Sequence, residues 1–559
     1  MRLTKISGPL KTTALALSMG LVAAVAILDC SSDDPAAATP GPGGGAPAAS
    51  CTSAPSGTTP PPRLTDAPSG DTATPAALDP IAVNAMKMID EGRHTFRYDT
   101  FGDEAFWGDT LKLHTAIAGS AHGGVGAGVT PKTALAVGLK VDLDALPQAV
   151  VDAAKQGKVD LDSVDTTLTL LQLDAVVGVK GIFDASKNLT SIGIQCALCH
   201  STVDDAFVPG IGHRRDGWAN RDLNVGAIVN LAPDLSAVSA LLGVDDATVR
   251  TVLSGWGPGK FNAQLFLDRK AVGPGATGPA GAAAVIPPAF GLAGVNLATY
   301  TGFGSATYWN AFVANLEMHG KGTFIDARLA DATQFPVSAA AGFSSVRSTP
   351  DLITSKLPAL EVYQLAIPAP TPPSGSFDAT AAARGKIAFE GQGKCASCHV
   401  APLFTEPGWN MHTAAEIGID TFQSDRAPDK RYRTTPLKGL FSHVKGGFYH
   451  DGRFPTLASV VDHYDVAQSL ALSAGQKTDI VEYLSRSDYV ADGSSSTRRS
   501  WRWSASIDRR DPVDACGSGA AGVVRLQATV SAPSASTRRI QRRAARIRTS
   551  GGSGWPSAA

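Results

Sequence analysis

Two short stretches of the chain bring cysteine and histidine side chains together at the same spacing. Each reads Cys-X-X-Cys-His: Cys196, Cys199 and His200 in the first stretch, and Cys395, Cys398 and His399 in the second. Four kinds of site use paired cysteines in this way: a thioredoxin-like dithiol, a zinc site, a disulfide and a covalently attached c-type haem. Only the haem needs a histidine directly after the second cysteine, because the thiols add to its two vinyl groups and the imidazole then ligates iron. The spacing therefore predicts two c-type haems, with zinc as the alternative.

The first thirty residues have the layout of an export signal. Arg2, Lys5 and Lys11 precede the apolar run 12–28. Cys30 then stands where a bacterial lipoprotein carries its acylated cysteine, although the preceding residue is Asp29 and not the usual Gly or Ala. We expect a protein of the bacterial periplasm or cell envelope. It is tethered to the membrane if Cys30 is acylated, and otherwise it is soluble or held by its N-terminal segment.

Two further segments have the composition of chain outside a folded core. Residues 31–80 are too rich in Pro, Gly, Ala and Ser to bury an apolar interior. From Ser494 to the end there are twelve arginines, no lysine and three aspartates. This basic composition is typical either of a tail that contacts nucleic acid or anionic lipid, or of a GC-rich gene read out of frame. We favour the second explanation and expect no nucleic-acid partner.

Helical patterns surround the two motifs and set the expected architecture. The sequence predicts a helix in 379–399 that ends at the second motif, and a closing helix in 473–487 with Ile480, Val481 and Leu484 on one face. The fold class we predict is mainly α, with two cytochrome c-like haem domains, a helical N-terminal extension and long loops. The predicted segments are the signal 1–30, the spacer 31–80, the extension 81–190, an N-terminal haem domain 191–366, a proline-rich linker 367–378, a C-terminal cytochrome c domain 379–490 and the basic tail 491–559.

The region around the second motif resembles one known family. Residues 431–465 contain a Pro-Leu pair, a His-Asp-Gly turn and then an amphipathic helix. This order is similar to the C-terminal haem domain of the bacterial di-haem cytochrome c peroxidase and MauG superfamily, and the match runs from about 382 to 484. In that family a methionine or, in MauG, a tyrosine on the final helix ligates the haem iron. The resemblance implies His399 and Tyr464 as ligands here, with the adjacent His463 as a rival to Tyr464.

The region after the first motif is matched less closely. Residues 210–230 resemble the Gly-His and Arg-Asn segment of the peroxidases. This implies His200 as the proximal ligand and His213 as a sixth ligand or gate. Further along, the family carries a tryptophan between the haems and polar residues that handle peroxide, which implies Trp309 for the bridge and Glu317 or His319 as distal acid or base. The Trp-Asp-Gly-Arg form of the family is absent at Trp309.

The resemblance leaves three functions open. The first is a peroxidase or MauG-like oxidoreductase that reduces hydrogen peroxide at the N-terminal haem, with electrons relayed by the C-terminal haem. The second is a dioxygenase, because the chain more distantly resembles the bacterial rubber oxygenases, with Tyr308, Trp309 and Phe324 placed to match their aromatic residues. The third is a di-haem electron carrier. A small redox protein is the expected electron donor or acceptor, and no carboxylate-rich loop supports the calcium that the peroxidase family holds.

Overall fold

Over residues 79–272 and 280–486, which the computed structural model describes, the chain forms fifteen α-helices and ten short strands. The predictions on the export signal, Cys30, the spacer up to residue 78 and the basic tail lie outside these residues. In the described part of the chain, no helix combines the length and the apolar character needed to cross a bilayer.

The helices account for most of the regular structure. They are α1 Pro80–Tyr98, α2 Leu113–Ala118, α3 Pro131–Ala136, α4 Gln148–Lys155, α5 Val164–Gln172, α6 Ala197–His200, α7 Val225–Val229, α8 Ser236–Leu242, α9 Asp246–Ser254, α10 Ala306–Phe312, α11 Pro336–Ala341, α12 Leu357–Ala366, α13 Ala379–Glu390, α14 Leu457–Ala467 and α15 Ala474–Ser485. Two π-helical turns, Ala105–Thr110 and Val313–Glu317, lie near the first motif in space. This helix-rich make-up agrees with the predicted mainly-α class at the coarse level.

The strands pair only in twos. They are β1 Val141–Asp142, β2 Val179–Phe183, β3 Leu189–Ile194, β4 Ser201–Val203, β5 Ile211–Gly212, β6 Arg214–Asp216, β7 Lys260–Phe261, β8 Ala284–Val285, β9 Thr323–Ile325 and β10 Ser345–Arg347. Strands β1 and β5 pair in parallel, whereas β2 with β3, β4 with β6, β7 with β8 and β9 with β10 are antiparallel. Strands β3, β4 and β6 flank the first Cys-X-X-Cys-His motif and fix the direction in which the chain enters and leaves it.

Three helices form the core beneath the second motif. Helices α14 and α15 both begin with a capping box, in which a Ser or Thr side chain and the residue three positions on satisfy each other's backbone N–H groups. Helices α13 and α15 pack so closely that a Cβ at Gly385 would lie 1.8 Å from the carbonyl oxygen of Asp479. Phe389, Val461 and Ile480 are buried in this core, and Cys395 packs against its edge. The second motif is therefore held on a rigid helical base.

The first motif lies in apolar clusters shared with the N-terminal extension. Phe96 and Phe101, from the extension, are buried in one cluster with Ala197 and Met318, and Cys196 packs against it. A second cluster joins Trp107 of the extension to Leu198 and Trp256. The extension therefore contributes directly to the surroundings of the first motif.

Candidate haem sites

The first motif ends in a buried histidine with one ring nitrogen already engaged. The Nδ1 atom of His200 lies 3.1 Å from the carbonyl oxygen of Pro287. Because a carbonyl can only accept, Nδ1 carries the proton and Nε2 keeps its lone pair. Burial lowers the pKa of His200 to about 4, so the imidazole is neutral at physiological pH. A neutral imidazole with a free Nε2 is the form that ligates a metal.

The second motif repeats this arrangement on a different local structure. Its first three residues form a 3₁₀ turn, Cys395–Ser397, whereas the first motif lies on helix α6. The Nδ1 atom of His399 lies 3.0 Å from the carbonyl oxygen of Phe404, and burial lowers the pKa of His399 to about 4. Both motif histidines are therefore oriented by a backbone carbonyl at Nδ1, and His399 has a further backbone hydrogen bond with Thr435.

The four motif cysteines are free thiols. Burial raises the pKa of Cys196 and Cys199 to about 12 and that of Cys395 to about 11. A redox dithiol works through the thiolate, so raised thiol pKa values disfavour it. Zinc deprotonates the thiols that it binds and stays the alternative. The oriented histidine directly after each thiol pair fits thioether attachment of a haem.

One cluster retains the chemistry of a metal site. Sγ of Cys398 and one ligand atom each of Glu406 and His412 all lie within 4.8 Å of one another. These three residues form the candidate metal cluster found among the described residues. His412 Nε2 is 2.7 Å from Glu406 Oε2, so these two side chains already satisfy each other. A thioether at Cys398 would remove the thiolate from this cluster, and haem attachment and metal binding here are mutually exclusive.

A cavity of about 520 Å³ adjoins the second motif. Cys395, Cys398 and His399 line it, together with apolar side chains from α14 and α15 that include Val461 and Leu484. Its volume and mostly apolar lining are typical of a site for a large planar organic ligand. The residues present therefore fit a haem attached to the two cysteines.

The structure separates the two rival ligands on α14. Tyr464 lines the cavity, and burial raises the pKa of its phenol. The neighbouring His463 is not among the lining residues of the described chain, and its Nε2 lies 2.8 Å from the carbonyl oxygen of Ile417. Its ring packs against Phe454, with 4.7 Å between the centroids. Tyr464 thus shares a cavity with His399 and interacts with the side chain of Tyr449, whereas His463 lies outside the residues that line this cavity.

Glu317 and His319 lie on the segment that follows α10. Met318, between them, is buried in the cluster that Cys196 packs against. Both carboxyl oxygens of Glu317, and Nε2 of His319, are buried without a hydrogen-bond partner in the described structure. Burial raises the pKa of Glu317 well above its usual value and lowers that of His319 to about 4. The pair is therefore a neutral acid and a neutral base.

An element of the N-terminal extension positions His319. The ring of Phe106 stacks on the imidazole at a centroid distance of 3.7 Å and an interplanar angle of 25°. Trp107 Nε1 donates a hydrogen bond of 2.9 Å to the carbonyl oxygen of Met318. His319 itself adopts φ +61°, a left-handed conformation that a non-glycine residue keeps only when its surroundings hold it. Sequence reasoning missed this contact, since more than two hundred residues separate the partners.

The predicted bridge and aromatic residues form a packed cluster of their own. Trp309 lies 4.7 Å from Phe303 and 5.0 Å from Phe312 between ring centroids, and Tyr308 lies 5.6 Å from Phe324. The Tyr308 hydroxyl donates to Asp326 at 2.6 Å. Trp309 is buried in this cluster and does not line the cavity at the second motif.

The predicted gate, His213, lies at the surface. Its side chain is 53% exposed, and Nδ1 is 2.8 Å from a carboxylate oxygen of Asp144. The hydrogen bond and charge of Asp144 raise the pKa of His213. A ligand role for this residue would require it to leave Asp144 and turn inward.

Comparison with known proteins adds little to these observations. No family model matches the chain, and no curated protein matches it. Among solved structures, a chain of hydrazine synthase from Kuenenia stuttgartiensis is similar, with 22% sequence identity over 27% of this chain and a TM-score of 0.18. The match spans 59% of the hydrazine synthase chain. A similarity at this TM-score does not define a shared fold.

Proposed function

We propose that the protein is an exported di-haem oxidoreductase of the peroxidase or MauG type. It reduces hydrogen peroxide at the first motif with electrons relayed through the second. The observation that carries this proposal is the difference between the two sites. At the first, Met318 of the adjoining apolar cluster stands between a buried acid and a buried base without partners in the described structure, Glu317 and His319. The second shares its cavity with a second candidate ligand, Tyr464.

The residues divide the work between the two sites. A haem at each motif would supply an iron that passes electrons or, where a coordination position is vacant, binds peroxide. His200 and His399 would each hold one haem iron, and Tyr464 would be a further ligand at the second site. Such a second ligand would close the second site to peroxide and leave the reaction to the first. A small redox protein of the periplasm exchanges electrons with the enzyme.

Glu317 and His319 handle the protons. The imidazole of His319 would accept a proton from one oxygen of peroxide, and the carboxyl of Glu317 would donate a proton to the other oxygen, which leaves as water. The two electrons that break the O–O bond would come from the haems. The remaining oxygen would leave as a second water once the small redox protein has returned those electrons and two protons have been taken up. Both groups keep the required protonation state because burial disfavours their charged forms. A dioxygenase that acts on an apolar substrate has no need of this acid. Glu317 therefore favours peroxide over dioxygen as the oxidant.

The proposal is tested by absorption and EPR spectra of the haem-loaded protein before and after one equivalent of hydrogen peroxide. We expect one high-spin and one low-spin haem at rest, with the high-spin signal consumed by peroxide. Two low-spin haems that ignore peroxide in every redox state would make the protein an electron carrier. A high-spin haem that ignores peroxide and binds dioxygen would identify the oxygenase.

The ligand at the second site is tested by two neighbouring variants. Tyr464→Phe removes the phenol oxygen from the cavity and is expected to change the low-spin spectrum of the second haem. His463→Gln keeps a donor for the Ile417 carbonyl and is expected to leave that spectrum unchanged. EPR of the ferric protein reports both. A change with His463→Gln and none with Tyr464→Phe would reverse the assignment.

A further inference from the structure

Two arginines at the second site have free donors that face no acid. Arg221 and Arg433 both line the cavity. Arg221 Nη1 donates to the carbonyl oxygens of Lys445 and Gly447, at 3.2 and 3.4 Å, but its buried Nε has no partner in the described structure. Arg433 Nε donates to the carbonyl oxygen of Thr299, and its buried Nη1 is likewise without a partner there.

The electrostatic surroundings of both guanidinium groups are unbalanced. Burial lowers the pKa of Arg221, and it lowers that of Arg433 to about 10. The one titratable group that counteracts this, among the described residues, is the phenol of Tyr300, which is itself buried and neutral. Removing a charge from water without an opposite charge nearby costs several kcal/mol. The fold therefore leaves this cost to be offset by something other than its own carboxylates.

Other buried arginines of the chain are treated differently. Arg426 is fully buried and bonds Asp268, with 2.8 Å between Nε and Oδ2. The buried guanidinium of Arg214 lies 2.8 Å from Asp142 in the same way. Among the described residues that line the cavity, one is acidic, Glu416. Its carboxylate accepts hydrogen bonds from the backbone N–H and the hydroxyl of Thr413. The missing counter-charge at Arg221 and Arg433 thus coincides with the cavity.

We propose that Arg221 and Arg433 bind the two carboxylates of a ligand in this cavity, and that these are the propionates of the haem attached to Cys395 and Cys398. The ligand identity rests on the proposed function above, whereas the need for an anion does not. A guanidinium offers its N–H donors in a planar fork that matches a carboxylate, and such charge-assisted bonds are the stronger kind. Nε of Arg221 and Nη1 of Arg433 are the donors left free for them.

The position of Arg221 extends the consequence to the first site. Its neighbour Asn220 donates from the backbone to the carbonyl oxygen of Cys199 at 2.9 Å, and Gly217 donates to that of His200 at 2.8 Å. We call residues 217–221 the strap. One end of the strap is fixed to the first motif, and the other reaches the cavity of the second. A ligand on Arg221 therefore also secures the chain that supports the first motif.

The test compares Arg221→Gln and Arg433→Gln with the control Arg431→Gln. Arg431 is exposed, two residues before Arg433, and its Nη1 is 3.3 Å from the carbonyl oxygen of Met411. Resonance Raman bands of the haem propionates and a potentiometric titration of the second haem are the readouts. We expect both variants to shift the bands and lower the midpoint potential, because a nearby cation favours the reduced haem. The control should match the parent protein.

A second pair of variants protects the test against misfolding. Arg221→Lys and Arg433→Lys keep the charge but lose the planar fork, so the potential should stay near that of the parent while the propionate bands shift. Bands that stay at the parent positions in every variant would overturn the proposal. Acetate or succinate titrated into the parent provides the other arm. A free carboxylate that alters the parent spectrum, but not the Gln variants, would show that the arginines serve a free anion and would also overturn it.

The outcome is separable from the proposed function. A parent protein that does not react with peroxide, together with shifted propionate bands in the arginine variants, would refute the peroxidase and leave the arginine assignment in place. A normal reaction with peroxide and unshifted bands would do the reverse.

Discussion

Replacing Cys395 and Cys398 together by alanine is expected to lower the covalently bound haem from about two per chain to about one. The same loss is expected for Cys196 and Cys199, and all four substitutions should abolish covalent haem. The reason is that each motif would supply both thioether sulfurs and the histidine that ligates iron, and His200 and His399 are each oriented by a backbone carbonyl. The pyridine haemochrome assay and the intact mass measure the ratio directly.

The matched control is Cys51→Ala, a cysteine in the predicted spacer. Its haem content should equal that of the parent protein. Zinc content must be measured on the same samples, since Cys398, Glu406 and His412 form a candidate metal cluster. Bound zinc that disappears with Cys398→Ala, in a protein with one haem or none, would refute the second haem.

The second large effect is expected from Glu317→Gln. This change keeps the size of the side chain and removes the proton donor, so the rate of reaction with peroxide should fall by about 100-fold. The spectra of both haems should remain those of the parent protein, because Glu317 is not one of the proposed iron ligands. Stopped-flow absorption at several peroxide concentrations measures the rate. Glu91→Gln, at an exposed carboxylate paired with Lys87, is the control and should react at the parent rate.

The same variant tests the charge state of Glu317 through stability. Burial raises the pKa of this carboxyl in the folded protein, so at neutral pH the unfolded chain is ionised and the folded chain is not. This penalty is absent below the unfolded pKa of about 4.3 and grows as the pH rises toward the folded pKa. Glu317→Gln should therefore raise the melting temperature at pH 7 to 8 and leave it unchanged near pH 4. If the variant and the parent protein have the same melting temperature at pH 7 to 8 as well as near pH 4, Glu317 is ionised in the fold.

Local signals in the sequence predicted the parts of the molecule that depend on local chemistry. The two motifs were evident from spacing alone. The helix predicted to end at the second motif is present as α13, which ends at Glu390, and the closing helix is α15. Of its predicted apolar face, Ile480 and Leu484 are buried and Val481 is half-buried. The helix that carries Tyr464 begins at the Thr456 cap, within the predicted amphipathic segment.

Other features depend on contacts between distant segments and left no local pattern. Strands β1 and β5 pair across a long separation in the chain. The strands have two to six residues, which is too short to show the alternation of apolar and polar side chains. The choice between His463 and Tyr464 turns on which side chain faces a cavity, and adjacent positions on a helix differ by about 100° in direction. Arg433 and Phe106 gain their roles from partners far away in the chain, so single-residue reasoning had no means of finding them.

The strap has a consequence for the modularity of the chain. The C-terminal segment from 379 to 486 has its own helices and its own apolar core. The cavity at its haem motif nevertheless takes Arg221 from more than 150 residues upstream. A C-terminal fragment, or a chimera that exchanges this segment for that of a related chain, would lack one wall of its own ligand site and would leave the buried Arg426 without Asp268. Recombination at the proline-rich segment 367–378 would therefore separate a site from one of its arginines and break a buried ion pair.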